Sequence, residues 1–290
     1  MDSAPDLSII IPVYNEAGVI DKVLPGMVQE FESWPYSVEL LIINDGSSDG
    51  FDLKPIVPWM RVIEHAVNMG NGAAVKTGIR NAKSDHCLIM DGDGQHLPQD
   101  ALKLVKQLDR FHLIVGARDF SDSGTLHRNI ANVIYSKLAS YVSSFNIEDL
   151  TSGMRAFRKN EVMDIIHLFP NRFSCPTTMT LGMLRLGYQV KFEPIDVQSR
   201  EGTSKINILS DGFRFLLIIL KISTLFSPLK IFLPVSLLLF GIGMSFYIYI
   251  LFAAQRFEQW SIVLLTNAVT IFMIGLVAEE ISSLKLKKEK

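Results

Sequence analysis

The sequence predicts an α/β fold, a mostly parallel sheet with helices on both faces, followed by an interfacial helix and two transmembrane helices. Short β-branched apolar runs alternate with helix-period segments over the first two-thirds of the chain, the pattern of parallel strands joined by helical crossovers. Polar Asn/Asp/Gly clusters follow several of those runs, at 44–50 and 91–95, where the ligand crevice of an open sheet lies. Near the carboxyl end come two long apolar stretches, 231–254 and 260–277, without a charged residue in either.

The first strand is the run 7–13, and Asn15-Glu16 opens a helix to about residue 32. A second buried strand, 38–43, stops at Asn-Asp-Gly-Ser-Ser-Asp-Gly, a dense turn signal. A shorter strand, 60–64, leads to Gly70-Asn71-Gly72 and a helix through Ala82. Strand 87–90, helix 99–109 and strand 113–116 complete the regular alternation. Beyond Arg118 the pattern loosens into a long helix, 126–144, a short strand, 154–158, helices 159–168 and 175–186, and a last strand, 189–194. Residues 206–223 mix Ile208, Leu209, Phe213, Leu216, Leu217 and Leu220 with Asp211, Arg214 and Lys221. That mixture fits a helix lying in a membrane interface, with a core helix of the soluble domain as the alternative. The expected organisation is a domain over 1–205, a juxtamembrane amphipathic helix over 206–229 and a membrane hairpin with a basic tail over 230–290.

As helices of about 1.5 Å rise per residue, the two apolar stretches reach about 36 and 27 Å, against a hydrocarbon core of about 30 Å. A buried helical hairpin in a soluble core is the competing arrangement. Lys221 and Lys230 precede the first stretch, Lys285, Lys287, Lys288 and Lys290 follow the second, and the link between them carries Arg256. The positive-inside rule then places both termini and the large domain in the cytoplasm. Met1 to Asp6 is short and polar, so no secretory leader is expected. A net charge of −2 gives no reason to expect nucleic acid as a partner. Two cysteines exclude a disulfide framework or a cysteine zinc site, and the six scattered histidines read as surface or packing residues.

The chemistry concentrates in Asp91-Gly92-Asp93-Gly94-Gln95. Two acids one residue apart at a strand end, with glycines permitting close approach, suit Mg2+ or Mn2+ holding a diphosphate; an acidic turn is the plainer alternative. The loops at 14–16 and 45–49 converge on the same crevice, with Tyr14 able to stack on a ring. An anion could not sit among so many carboxylates without a cation. The Gly70-Asn71-Gly72 segment lacks the third glycine of a dinucleotide fingerprint and reads as a tight turn with close helix packing. Arg118, Arg128 and Arg200, the last in a polar loop ending at Lys205, offer guanidinium forks for phosphate oxygens.

Pro12-Val13-Tyr14-Asn15-Glu16, Asn44-Asp45-Gly46-Ser47, Asn68-x-Gly70-x-Gly72, Asp91-x-Asp93-x-Gln95-His96 and Asp149-x-x-Ser152-Gly153-x-Arg155 stand in an order that resembles family-two glycosyltransferases of the GT-A fold. Gly116-Ala117-Arg118, the 200–205 loop and the terminal helices resemble the dolichol- and polyprenyl-phosphate hexose synthases. The resemblance implies that Pro12, Tyr14, Glu16 and Asp45 hold nucleobase and ribose. It places Asp91, Gly92, Asp93 and Gln95 about the metal and donor diphosphate. Arg118, Arg128, Arg200, Ser204 and Lys205 would bind the lipid phosphate or donor phosphates, and Asp149 would orient the sugar or acceptor region. Arg200 and Gly202 are one residue apart where the family loop has two, and Asn132 stands where some mannosyl synthases carry a serine.

The expected activity is inverting, metal-dependent transfer of a hexose from a UDP- or GDP-sugar to a polyprenyl (dolichyl or undecaprenyl) phosphate at the cytosolic membrane face. Two spans per chain leave room for packing into a homo-oligomer. A processive polysaccharide synthase is the enzymatic alternative, although its Gln-x-x-Arg-Trp motif does not occur. A non-catalytic nucleotide-sugar-binding membrane protein is the alternative from another class.

Overall fold

A computed structural model describes residues 4–118, 133, 136–141, 143–172, 175–196, 224, 227–254 and 259–287. The expected helix 206–223 lies outside them, as does most of the expected helix 126–144. The chain forms two compact units, residues 1–137 with 145–206, and residues 138–144 with 207–290.

In the first unit, strands β1 (Leu7–Val13), β2 (Val38–Asn44), β3 (Met60–Glu64), β4 (His86–Ile89), β5 (Leu113–Arg118), β6 (Arg155–Arg158) and β7 (Val190–Ile195) form one sheet. Their order is β3-β2-β1-β4-β6-β5-β7. Every pairing is parallel except those of β6, which runs antiparallel to both β4 and β5. The order reverses at β1, whose neighbours are β2 and β4. Crevices form outside the strands' carboxyl ends at such a switch point.

Helices cover both faces because both faces of the central strands are apolar. On helix α1 (Ala17–Glu32), Ile20, Leu24, Met27, Val28 and Phe31 repeat at helical period and are buried. They join Ile9 and Ile11 of β1 and Ala101 and Leu104 of α3 (Pro98–Val105) in one cluster. On the other face, Gly78 of α2 (Asn71–Asn81) lies directly on Ile10, leaving no room for a Cβ. Helix α3 starts at Pro98, whose missing N–H costs nothing at a first helical position, and it ends at Val105 instead of continuing to 109. The expected helix 159–168 is instead a short α4 (Lys159–Met163) and a separate 3-10 turn, Ile166–Leu168. The turn stops at Phe169, which is extended because Pro170 follows. Helix α5 (Cys175–Arg185) precedes β7.

The Gly70-Asn71-Gly72 turn packs closely. Gly70 has φ +101°, and a Cβ on Gly72 would overlap the Pro170 carbonyl oxygen. Loop 169–171 is pinned there by Ala73 N–H to Asn171 O (2.9 Å) and by Lys76 Nζ to Phe169 O (3.1 Å). Neither backbone can retreat cheaply. Gly72→Ala is therefore expected to destabilise the unit by about 1–3 kcal/mol, as overpacking does, read as a lowered unfolding midpoint of the purified chain.

The second unit holds α6 (Leu229–Tyr249), a π turn (Ile250–Ala254) and α7 (Gln259–Lys287). Two stretches, Leu229–Phe252 and Gln259–Leu284, are long and apolar enough to cross a membrane. Only 11% and 17% of their most apolar windows is buried, whereas a helix in a soluble core is mostly buried. Small residues bring the helices together. Ser236 Oγ donates to Ala268 O at 2.8 Å, Gly243 faces Leu264 and Leu265, and Gly275 faces Phe232. Glu279 Oε2 accepts the Leu229 N–H (3.2 Å), meeting an end-of-helix donor that its own helix cannot satisfy.

Candidate functional site

Three loops leave the carboxyl ends of β1, β2 and β4. The first two are laced to each other. Asn15 N–H donates to Ser47 Oγ (3.0 Å), Ser48 N–H to Asn15 Oδ1 (2.8 Å) and Ala17 N–H to Asp49 Oδ2 (2.9 Å), so Asp49 caps α1 from the neighbouring loop. Asn15 adopts φ 53°, a conformation that asparagine tolerates better than most residues. Pro12 is buried within β1, Tyr14 is exposed at the loop tip and Glu16 is half-buried.

Asp45 is buried, and its carboxylate accepts three donors: Met69 N–H at 3.0 Å, Gly70 N–H at 2.7 Å and His65 Nδ1 at 2.7 Å. The far side of His65 reaches Thr77 Oγ1 at 2.9 Å. Asp45 thus fastens the loop after β3 to the loop after β2. The sequence reads His65 as a surface or packing residue and carries no sign of its Asp45 and Thr77 partners.

The loop after β4 carries the acid pair. Gly92 is buried, and a Cβ there would press on Ile11, Val13 and Ile20 at 3.2–3.4 Å, so the loop lies down on β1. Asp93 accepts the Gln95 N–H at 3.1 Å, closing a turn in which Gly94 has φ +74°. Asp91, Asp93 and Gln95 are each half-buried. Burial lifts the Asp91 carboxyl above the ordinary carboxylate range; His96 opposes the lift, Asp93 adds to it, and Arg118 and Arg155 oppose it. His96 is buried against this loop and accepts the Asp91 N–H on Nδ1 at 3.4 Å. Its place in the motif was the available signal, yet the sequence reading gave it no role.

Facing the acids is the loop that enters β6. A Cβ on Gly153 would overlap the Asp91 carboxylate, so any larger residue there would displace that side chain. Asp149 is buried and takes a fork from Arg118, Nε to Oδ2 at 2.7 Å and Nη2 to Oδ1 at 3.1 Å. Arg118 Nη2 also donates to Thr151 Oγ1 (2.7 Å), and Thr151 N–H donates to Asp149 Oδ1 (2.9 Å). Burial alone would raise the Asp149 carboxyl, but the Arg118 fork and the backbone N–H groups of Thr151 and Arg118 outweigh it and hold it below the ordinary range. The resemblance implies a phosphate partner for Arg118; in the structure its Nε and Nη2 hold Asp149 and Thr151. Arg128, Arg200, Ser204 and Lys205 lie outside the described residues.

The donor set fits a hard divalent cation. Asp91 and Asp93 supply carboxylate oxygens and Gln95 an amide oxygen, the ligands that Mg2+ and Mn2+ prefer. Among the described residues no three or more His, Cys, Asp or Glu converge on one point. Such an ion would take part of its coordination sphere from a diphosphate or water, as Mg2+ usually does. Cys87 and Cys175 are buried, and burial pushes each thiol up to about 12, so neither is a nucleophile.

Residues 227–284 match the family model described as GtrB C-terminal hairpin. The chain is 26% identical over 168 residues to dodecaprenyl-phosphate galacturonate synthase of Rhizobium johnstonii, covering 55% of this chain and 50% of that one. It is 25% identical over 167 residues to undecaprenyl-phosphate 4-deoxy-4-formamido-L-arabinose transferase of Edwardsiella ictaluri, covering 56% and 51%. The chain thus spans about half the length of these two relatives. Among solved structures, glucosyl-3-phosphoglycerate synthase from Mycobacterium tuberculosis, in complex with Mn2+, UDP and phosphoglyceric acid, superposes with a TM-score of 0.60. That match has 16% identity and covers 76% of this chain and 78% of that one, and it shows a shared fold. Residues 8–165, more than half of the sequence, match the model described as Glycosyl transferase family 2, and the chain belongs to that family.

Proposed function

We propose that the protein transfers a hexose, with inversion, from a UDP- or GDP-sugar to a polyprenyl phosphate at the cytosolic face of a membrane. The observation that carries the reading is the Asp91/Asp93 pair at the switch point of a family-two fold, on a chain that also carries two membrane-length helices. The names of the two relatives, both polyprenyl-phosphate sugar transferases, support the acceptor class. The lysines flanking the hairpin support the cytosolic placement.

Asp91, Asp93 and Gln95 would hold Mg2+ or Mn2+, which supplies Lewis-acid stabilisation of charge on the departing nucleotide diphosphate. Tyr14, with Pro12 and Glu16 beside it, offers a stacking surface for the nucleobase at the mouth of the crevice, and Asp45 fixes the wall opposite. Gly92 and Gly153 keep the floor low enough for the donor to approach the acids. The Arg118–Asp149 fork sets the far wall, where the sugar and acceptor phosphate meet. A phosphate monoester is already anionic near neutral pH, its second pKa being about 6. No strong general base is then needed, unlike transfer to a sugar hydroxyl.

The test incubates the purified chain with labelled UDP- and GDP-hexoses and a polyprenyl phosphate, then extracts into organic solvent. Label is expected in the lipid fraction, with a loss of at least a hundredfold on chelation and recovery on adding Mn2+ or Mg2+. Label in polymer would favour a processive synthase. No label from any donor would leave a non-catalytic nucleotide-sugar-binding protein.

A further inference from the structure

Arg155 is the largest fully buried side chain among the described residues. Topology brings it to the site. Because β6 runs antiparallel, its first residue lies at the carboxyl end of β4, opposite Ile89, and opposite Val115 in the middle of β5. Ile89 is two residues before Asp91 and Val115 three before Arg118. The guanidinium makes no ion pair with a carboxylate among the described residues. It donates from Nε to Ser152 O (2.8 Å), from Nη2 to Leu150 O (3.0 Å) and from Nη1 to Thr180 Oγ1 (2.6 Å). Two of these acceptors belong to the loop that carries Asp149, Thr151 and Gly153, and the third stands on α5.

A buried charge held mainly by carbonyls is a poor stabiliser. Burial pushes the guanidinium down to about 10, and an apolar residue of similar volume would avoid that desolvation. What the guanidinium adds is geometry: several donors in one rigid plane. They fix the underside of a loop whose upper side touches Asp91 and forks Arg118.

We propose that Arg155 is a positioning residue for sugar transfer, a buried clamp that holds the 149–153 loop so that Gly153 seats Asp91 and Asp149 seats Arg118. The proposal rests on the transferase reading above for its kinetic consequence, but its structural consequence can be measured without turnover. Lysine keeps the charge and loses the planar fork.

In Arg155→Lys, the Thr151 amide, which bonds Asp149, is expected to exchange hydrogen at least tenfold faster, while the β6 amides of Ala156 and Phe157 keep their protection. Turnover is expected to fall at least tenfold, with the donor KM within threefold of the wild type. Wild-type exchange at Thr151, or an equal rise across β4, β5 and β6, would overturn the clamp. Should Arg155→Lys fail to fold, Thr180→Val removes one acceptor alone: faster Thr151 exchange supports the proposal, and unchanged exchange overturns it. If the wild-type chain transfers no sugar, the functional reading falls and the exchange data alone judge Arg155.

Discussion

Asp93→Ala is expected to lower sugar transfer about a thousandfold while leaving the chain folded. A metal that stabilises charge on a leaving diphosphate contributes several kcal/mol, and each 1.36 kcal/mol is a factor of ten in rate. The structural cost is small by comparison. Asp93 is half-buried, and the bond it provides to the fold is the turn to Gln95 N–H, worth about 1 kcal/mol. Asp91→Asn separates the two roles further. The folded-state carboxyl of Asp91 is raised by burial, so the native chain holds this proton more tightly than the unfolded chain. Stability from this group is full below the ordinary carboxylate value and is lost as pH rises towards the raised one. The amide removes that loss, so Asp91→Asn should unfold at or above the wild-type midpoint at pH 7 and yet transfer no sugar. The same protonation competes with the cation, so metal-activated turnover should fall on acidification at a pH above the ordinary carboxylate range. Substantial transfer by either variant in Mn2+ would remove the acid pair from the mechanism.

The parallel half of this sheet is legible because its strands are buried on both faces. Leu7–Val13 and Val38–Asn44 read as apolar runs, interrupted by Ser8 and Glu39 near their starts, and the polar loops at their ends mark the crevice. The strand Arg-Ala-Phe-Arg is a different case. Four residues with charges at both ends carry no sign of direction, and nothing local says that β6 inserts between β4 and β5. That insertion buries Arg155, against the habit of arginine, and brings Gly153 onto Asp91. Asp45, Arg118 and Asp149 stand out by motif, but the pairings they make do not. His65, Asp149 and Thr151 are distant in sequence, and hydrogen bonds between distant residues leave no periodicity to read. Helix continuity was less legible: α3 stops at Val105 where the pattern runs on to 109, and the expected helix 159–168 breaks after Met163, although its end at Leu168 stands, where Pro170 follows Phe169.

Arg118→Ala is expected to cost about 3 kcal/mol of stability at pH 7 as well as activity, because it strands the buried Asp149 carboxylate. The pH dependence carries the diagnosis. In the wild type the Asp149 carboxyl lies below its ordinary value, since the Arg118 fork outweighs burial. Its contribution is present above the unfolded value and is lost as pH falls through the folded one. Without the guanidinium, burial is the largest influence and the shift reverses. The variant then holds a proton at Asp149 in the folded state, and its stability is lost as pH rises past about 4, the ordinary range. The gap between the two chains should therefore be small near pH 4 and widen towards pH 7, measured by denaturant unfolding at both. The double variant Arg118→Ala, Asp149→Ala should recover part of the loss, because neither charge is then left buried alone. If Arg118 served only to bind substrate phosphate, turnover would fall with no pH-dependent gap, and the two substitutions would add.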